Sequence, residues 1–485
     1  MLFNSSIFFA FYAAFFPLYW LVHRHRRART FLILVGSYVF YGAWDWRFLS
    51  LIVASTVVDF FCGGAIAASP SPKTRRRLLH LSLAVNLGAL GVFKYYGFFV
   101  QSFLDLANAL GWHPHPATLA FVLPVGISFY TFQTLTYTID IYRGELEPTD
   151  DFIGFAAFVA FFPQLVAGPI ERAGRLLPQI ISTPKFDMAQ ARDGAMLILW
   201  GLFKKVLIAD RISVYVDTVY ASPQAFNPLQ CAIATLMFSF QIYMDFSGYS
   251  DIARGLAKML GIELVLNFRS PYFATSLRDF WHRWHISLST WFRDYVYIPL
   301  GGSRDGEGAT NRNLLLTFLL SGLWHGANYT FVFWGLLHGV GVVLDPMTRL
   351  EKSRGKLNWR EHRFLVGLGW LWTFVLVNCA WTFFRADTIG DAWIVLQKIA
   401  QLPLRLLTSP GSEQILAGLS RTEFVYSCYL LLIATALDFV SRKHDVNVRF
   451  GKHPTAVRWV LSWGLIVHLL LLAPSDTGSF IYFQF

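Results

Sequence analysis

Charged side chains are what this sequence lacks: Asp, Glu, Lys and Arg make up 15% of its 485 residues, against roughly a quarter in soluble domains. With 55% hydrophobic and 17% aromatic residues in their place, a water-soluble globule would have little with which to cover its surface. Cysteine is scarce too. Cys62, Cys231, Cys379 and Cys428 are far apart, form no CxxC, and sit in apolar surroundings, which excludes a disulfide frame and a thiolate metal site. Also missing are a GxSxG elbow, a P-loop, and a GxGxxG after a strand, so no familiar soluble catalytic constellation is supported. The net charge of +11 does not imply nucleic acid. Its basic residues fall in short clusters between apolar runs, chiefly 23–29 and 73–77, where Lys and Arg set membrane orientation and meet anionic headgroups of membrane lipids.

What is abundant is apolar sequence of membrane-spanning length. Windows fall at 2–22, 30–43, 47–68, 79–110, 117–141, 152–168, 193–220, 228–260, 312–348, 363–384, 423–441 and 456–473, which predicts an all-α, polytopic transmembrane bundle in a single domain, 1–485. The 79–110 and 312–348 runs are long enough to contain a bend or hairpin, and 30–43 is short enough to be re-entrant. The first run has no basic region before it, as expected of a retained span and not of a cleaved signal peptide. Two crossings return the chain to the side of the first basic cluster, with Trp44 and Trp46 as interfacial anchors on the far face.

The longest polar interruption, from Asn267 to Asn313, is dense in both charge and rings. A segment at 270–300 that lies at the interface or re-enters to line a polar cavity explains both. If it is helical throughout, Arg278, His282 and His285 share one face, with Asp279 and Arg283 as an i, i+4 pair beside it. A second interfacial stretch is expected within 386–421. His325 lies between the apolar runs 314–320 and 331–337, where an imidazole is expensive unless it has a partner or a task. A packing histidine fits that position equally well, and packing is the better reading of His338. HxxH at His282 and His285 lacks the Glu of an HExxH helix, so no metal is expected. Gln241, Asp245, Ser247 and Asp251 interrupt another apolar run. Helix locking is their better reading, an ion path the other.

Three segments carry a resemblance: Arg278 to Ser289 (RDFWHRWHISLS), Trp291 to Gly302 (WFRDYVYIPLGG), and Gly322-Leu323-Trp324-His325-Gly326. Supporting segments are 161–170 (FFPQLVAGPI), 245–251 (DFSGYSD), 381–386 (WTFFRA) and 480–485 (FIYFQF). In this order they resemble the membrane-bound O-acyltransferases, in the bacterial branch that O-acetylates exopolysaccharides such as alginate. That family also includes the D-alanyl transferase of teichoic acid. The resemblance implies a ring of about eleven or more helices with re-entrant and interfacial segments around a central tunnel.

It further implies acetyl transfer from a cytoplasmic thioester, acetyl-CoA, to hydroxyls of an exported polysaccharide, directly or through a serine of a periplasmic partner. No permanently bound cofactor is implied. The family's core histidine maps onto His325 and its second polar position onto His285, so these two are the expected catalytic residues. Trp281, Arg283, Arg293, Trp324, Asn328 and Asp279 are expected to contact substrate. The implied location is the bacterial inner membrane. Two alternatives stay open from sequence: a transporter or flippase using Asp245 and Asp251, and an acyltransferase acting on teichoic acid or a lysophospholipid.

Overall fold

The computed structural model describes residues 1–114, 122–345, 359–408, 414–442, 453–473 and 480–481, and all regular structure among them is helical. Six helical stretches are long and apolar enough to cross a membrane: Arg26–Ala68, Pro72–Ala109, Pro228–Met259, Phe364–Arg385, Arg421–Val440 and Thr455–Leu472. Ser6–Val22 and Tyr329–Leu344 are shorter apolar helices. Contacts group the chain into two compact units, Met1–Ile198 with Tyr249–Val265, and Leu199–Gly248 with Leu266–Phe485.

In the first unit, α1 (Ser6–Val22), α2 (Arg26–Asp45), α3 (Leu49–Ala68) and α4 (Pro72–Leu90) follow one another closely. The 30–43 run is not the short re-entrant piece expected of it. Polar residues extend the helix N-terminally because each finds a partner. Arg29 is fully buried and donates to the carbonyls of His23, at 3.0 Å, and Ile180, at 3.1 Å, while Thr30 bonds back to Arg26 O at 2.8 Å. The 79–110 run also resolves differently from a hairpin: α4 passes through a π-helical turn, Gly91–Tyr95, into α5 (Tyr96–Ala109), the kind of insertion that lets a long helix change course.

A polar knot holds this unit at its centre. Asp59 on α3, fully buried, accepts Ser82 Oγ at 2.6 Å and the Asn86 amide at 3.0 and 3.1 Å from α4. Ser55 Oγ donates to Asn86 Oδ1 at 2.6 Å, and Ser82 Oγ pairs with Thr138 Oγ1 of α6 (Ile127–Arg143) at 3.0 Å. Where no water competes, such bonds select one register between helices. Asp59→Ala removes the acceptor of three bonds, leaving the Asn86 amide with Ser82 O and the Ser82 hydroxyl with Thr138. It is expected to cost about 1–3 kcal/mol, seen as a lower unfolding midpoint in detergent, with Asp59→Asn losing less.

The chain continues through α7 (Phe152–Ala160), α8 (Phe162–Leu165), α9 (Ala173–Ile181), α10 (Met188–Leu202), α11 (Asp210–Ala221) and α12 (Pro228–Met259), and the second unit carries the polar interruption. It resolves into two short helices, α13 (Leu277–Arg283) and α14 (Ile286–Phe292), and a π-helical turn, Arg293–Tyr297. A hairpin follows as the 312–348 run predicts, with α15 (Gly306–His325) and α16 (Tyr329–Leu344) joined by Gly326, Ala327 and Asn328. Within 386–421 a helix does form, Ile389–Thr408, with Ala392 and Val395 buried and Trp393 and Leu407 exposed.

Candidate active site

The segment between Leu277 and Phe292 is not one helix, and the reason is local. Ser276 caps α13, its Oγ accepting from Asp279 N at 3.1 Å, and Asp345 Oδ2 accepts from Leu277 N at 2.9 Å. The helix stops at Trp284. His285 then takes left-handed backbone angles, φ 42° and ψ 55°, a conformation that costs a non-glycine residue and is found where surroundings impose it. Asn267, fully buried, imposes it here: its carbonyl accepts from Ile286 N at 2.9 Å and its Oδ1 from Ser287 N at 3.2 Å. Arg269 N meanwhile donates to Arg283 O at 2.9 Å.

The shared face expected of Arg278, His282 and His285 is therefore corrected. Arg278 and His282 line a cleft of about 250 Å³ together with Trp281, Arg293, Phe318 and Ser321, whereas the turn at residue 285 carries that imidazole into the interior, fully buried. The ring of Phe246 meets it edge-on, centroids 4.6 Å apart at 83°.

His325 is the last residue of α15 and 3% exposed. Three aromatic rings box its imidazole: Trp324 at 4.9 Å, Trp334 at 5.0 Å and Phe384 at 5.4 Å between centroids, each steeply inclined to it. Trp324 also approaches His285, at 6.2 Å, so one indole adjoins both histidines. The box depends on how closely α15 and α16 approach. A Cβ on Gly322 would lie 2.3 Å from Phe331 O, and one on Gly335 2.4 Å from Phe318 O. Only glycine permits this contact, which sets Trp334, beside Gly335, against His325.

The other expected site residues divide. Trp281 lines the cleft and reaches back to Trp334, 5.8 Å away, so one aromatic wall runs from the cleft to the partner of His325. Arg293 also lines the cleft, with Nε 2.7 Å from Asp294 Oδ1. Asp279 and Arg283 pair with each other at 2.7 Å along α13, and neither lines the cleft. Asn328 caps α16 by accepting from Thr330 N at 3.1 Å and donates to Asp387 O at 3.1 Å. Trp324 and both catalytic candidates do not line the cleft.

Sequence reasoning missed Trp334 and Phe384 as neighbours of His325. Phe384 sits inside a motif noted above, but an aromatic in an apolar run carries no sign of what it faces. The cleft face of α15 was missed as well, although Leu314, Thr317, Phe318 and Ser321 recur at helical spacing, a signal that could have found it, and all line the cleft.

A polytopic helical protein with histidines enclosed at a broken helix, beside an arginine-lined cleft, has the frame of a membrane-embedded enzyme. Residues 145–386 match the model of the membrane-bound O-acyltransferase family. The chain is 41% identical to the probable alginate O-acetylase AlgI of Pseudomonas putida over the full length of both. It is 36% identical to the peptidoglycan O-acetyltransferase of Helicobacter pylori, covering 100% of this chain and 98% of that one. Similarity extends to the teichoic acid D-alanyltransferase of Bacillus subtilis, at 27% identity over 64% of this chain and 82% of the relative. The chain belongs to the membrane-bound O-acyltransferase family: it is a multi-pass membrane protein and an O-acyltransferase, which sets the transporter reading aside.

Gly335→Leu is expected to part α15 from α16 and cost about 1–3 kcal/mol. The check is a lower unfolding midpoint together with altered fluorescence from the indoles around His325.

Proposed function

We propose that this protein moves an acetyl group from acetyl-CoA, presented on the cytoplasmic side of a bacterial inner membrane, to hydroxyls of an exported polysaccharide, with a periplasmic protein as final carrier or handler of the polymer. The observation that carries the proposal is the aromatic enclosure of His325 at the end of α15, one turn beyond Ser321 of the cleft. The O-acetylating relatives support the acetyl group and a polysaccharide acceptor. Their greater identity, compared with the D-alanyltransferase, favours these over teichoic acid.

In this reading the His325 imidazole takes the proton of the acceptor hydroxyl as its oxygen attacks the thioester carbonyl. The carbon–sulfur bond breaks, and the departing thiolate recovers that proton from the imidazolium. A neutral imidazole is needed at the start. His285, reached through Trp324, orients His325 or donates to the oxyanion. Arg278 and Arg293 supply the charge that the donor's phosphates require, with His282 beside them, while Trp281 and Phe318 offer apolar wall to its arm. Asp279, Arg283 and Asn328 are given supporting roles because their bonds hold α13 and the α15–α16 turn.

His325→Ala is expected to remain inserted and folded while transfer of labelled acetyl from acetyl-CoA drops by about 10²–10⁴-fold; near-normal transfer by that variant sinks the assignment. Arg278→Ala and Arg293→Ala are expected to raise the KM for acetyl-CoA with little change in kcat. Unchanged KM in both places the donor elsewhere.

A further inference from the structure

Buried in the second unit is an ionic cluster that the reaction above does not use. Lys205, in the π-helical turn Phe203–Ala209, places Nζ 2.7 Å from Asp210 Oδ1 and 2.5 Å from Asp245 Oδ1. All three side chains are at least nine-tenths buried. Two carboxylates against one ammonium leave an excess of acceptors in a medium where each ion taken from water needs good partners. The further donor comes from far along the chain: Ile481 N–H donates to Asp245 Oδ2 at 2.7 Å.

That bond seats two residues one ring away from His285. Phe480 and Ile481 are 1% and 4% exposed. The Phe480 ring lies against Phe246, centroids 5.7 Å apart, and Phe246 is the ring that meets His285 edge-on. An ionic anchor, a peptide N–H, and two inclined aromatic contacts thus lead from Lys205 to an imidazole held in left-handed backbone.

We infer that Phe480 and Ile481 form a strap, anchored on Asp245, that positions His285 through Phe246, making Phe480 and Asp245 positioning residues for acyl transfer. The catalytic part of this rests on the reading of His285 given above; the strap itself does not. Its physical logic is mutual: Asp245 needs the Ile481 N–H, and the apolar rings need an anchor that survives without water. A ring over Phe246 keeps the imidazole from sliding within its pocket, and small misplacements of reacting groups are costly.

The test uses the full chain purified in detergent, with Phe480→Ala, Phe480→Leu and Asp245→Ala beside wild type. Reaction of histidines with diethyl pyrocarbonate, read by mass spectrometry, reports the strap without requiring activity. His338, also fully buried, is the internal control. Expected are a selective gain in His285 reactivity in Phe480→Ala and Asp245→Ala, none at His338, and restoration in Phe480→Leu. For the folded fraction, kcat is expected to drop about tenfold with the acetyl-CoA KM nearly unchanged. Unchanged His285 reactivity, or a rise shared with His338 that signals general loosening, overturns the strap. Selective labelling with wild-type turnover retained keeps the strap and overturns its positioning role. Selective labelling in a protein whose wild type transfers nothing keeps the strap and removes the catalytic reading of His285.

Discussion

A polypeptide can leave helical geometry inside an apolar bundle only where other groups take over its freed backbone N–H and C=O. In this protein the break at Trp284 and His285 is made tolerable by Asn267, which uses both its main-chain and side-chain oxygens on the first two peptide groups of α14. Much else follows. Without that clamp, residues 277–292 would continue as one interfacial helix, and His285 would share the cleft face with Arg278 and His282. With it, one segment serves two environments: cations toward an open cleft, an imidazole toward the aromatic interior.

The same economy appears wherever a polar group is buried in this chain. Asp59 draws three donor bonds from two residues of the next helix, Arg29 finds two carbonyls, and Asp245 shares Lys205 with Asp210 and takes a peptide N–H besides. Each bonds groups distant in sequence, so each specifies a tertiary arrangement more sharply than apolar contact alone. Glycine does the complementary work at the α15–α16 hairpin. There the absence of Cβ atoms brings backbones into contact and delivers Trp334 to His325.

Family membership and geometry meet at the histidines but bear on different questions. The relatives establish an O-acyltransferase in the membrane. The geometry separates two neighbourhoods within its second unit: a cleft lined by Arg278 and Arg293, and an enclosed pair of imidazoles joined by Trp324. Under the proposed thioester chemistry the separation has a reason, because water that reaches the reacting carbonyl hydrolyses it.

The sequence by itself determined the class: scarce charge, long apolar runs and the ordered motifs around 278–302 and 322–326 sufficed for a helical membrane acyltransferase, and they singled out His325 and His285, both of which the structure buries. Those signals are local, a period or a run of residue types, and so is the unused one on the face of α15 that lines the cleft. What only the tertiary structure decided was which way His285 points, that Asp279 and Arg283 satisfy each other, and that Trp334, Phe384 and Phe246 surround the imidazoles. It also decided that Phe480 and Ile481 close over Asp245. The physical reason is shared by all of these. Helical period predicts neighbours three and four residues away, whereas a buried polar atom or ring takes its partner from whatever segment packing brings near, as Asp245 does from Ile481 across 236 positions.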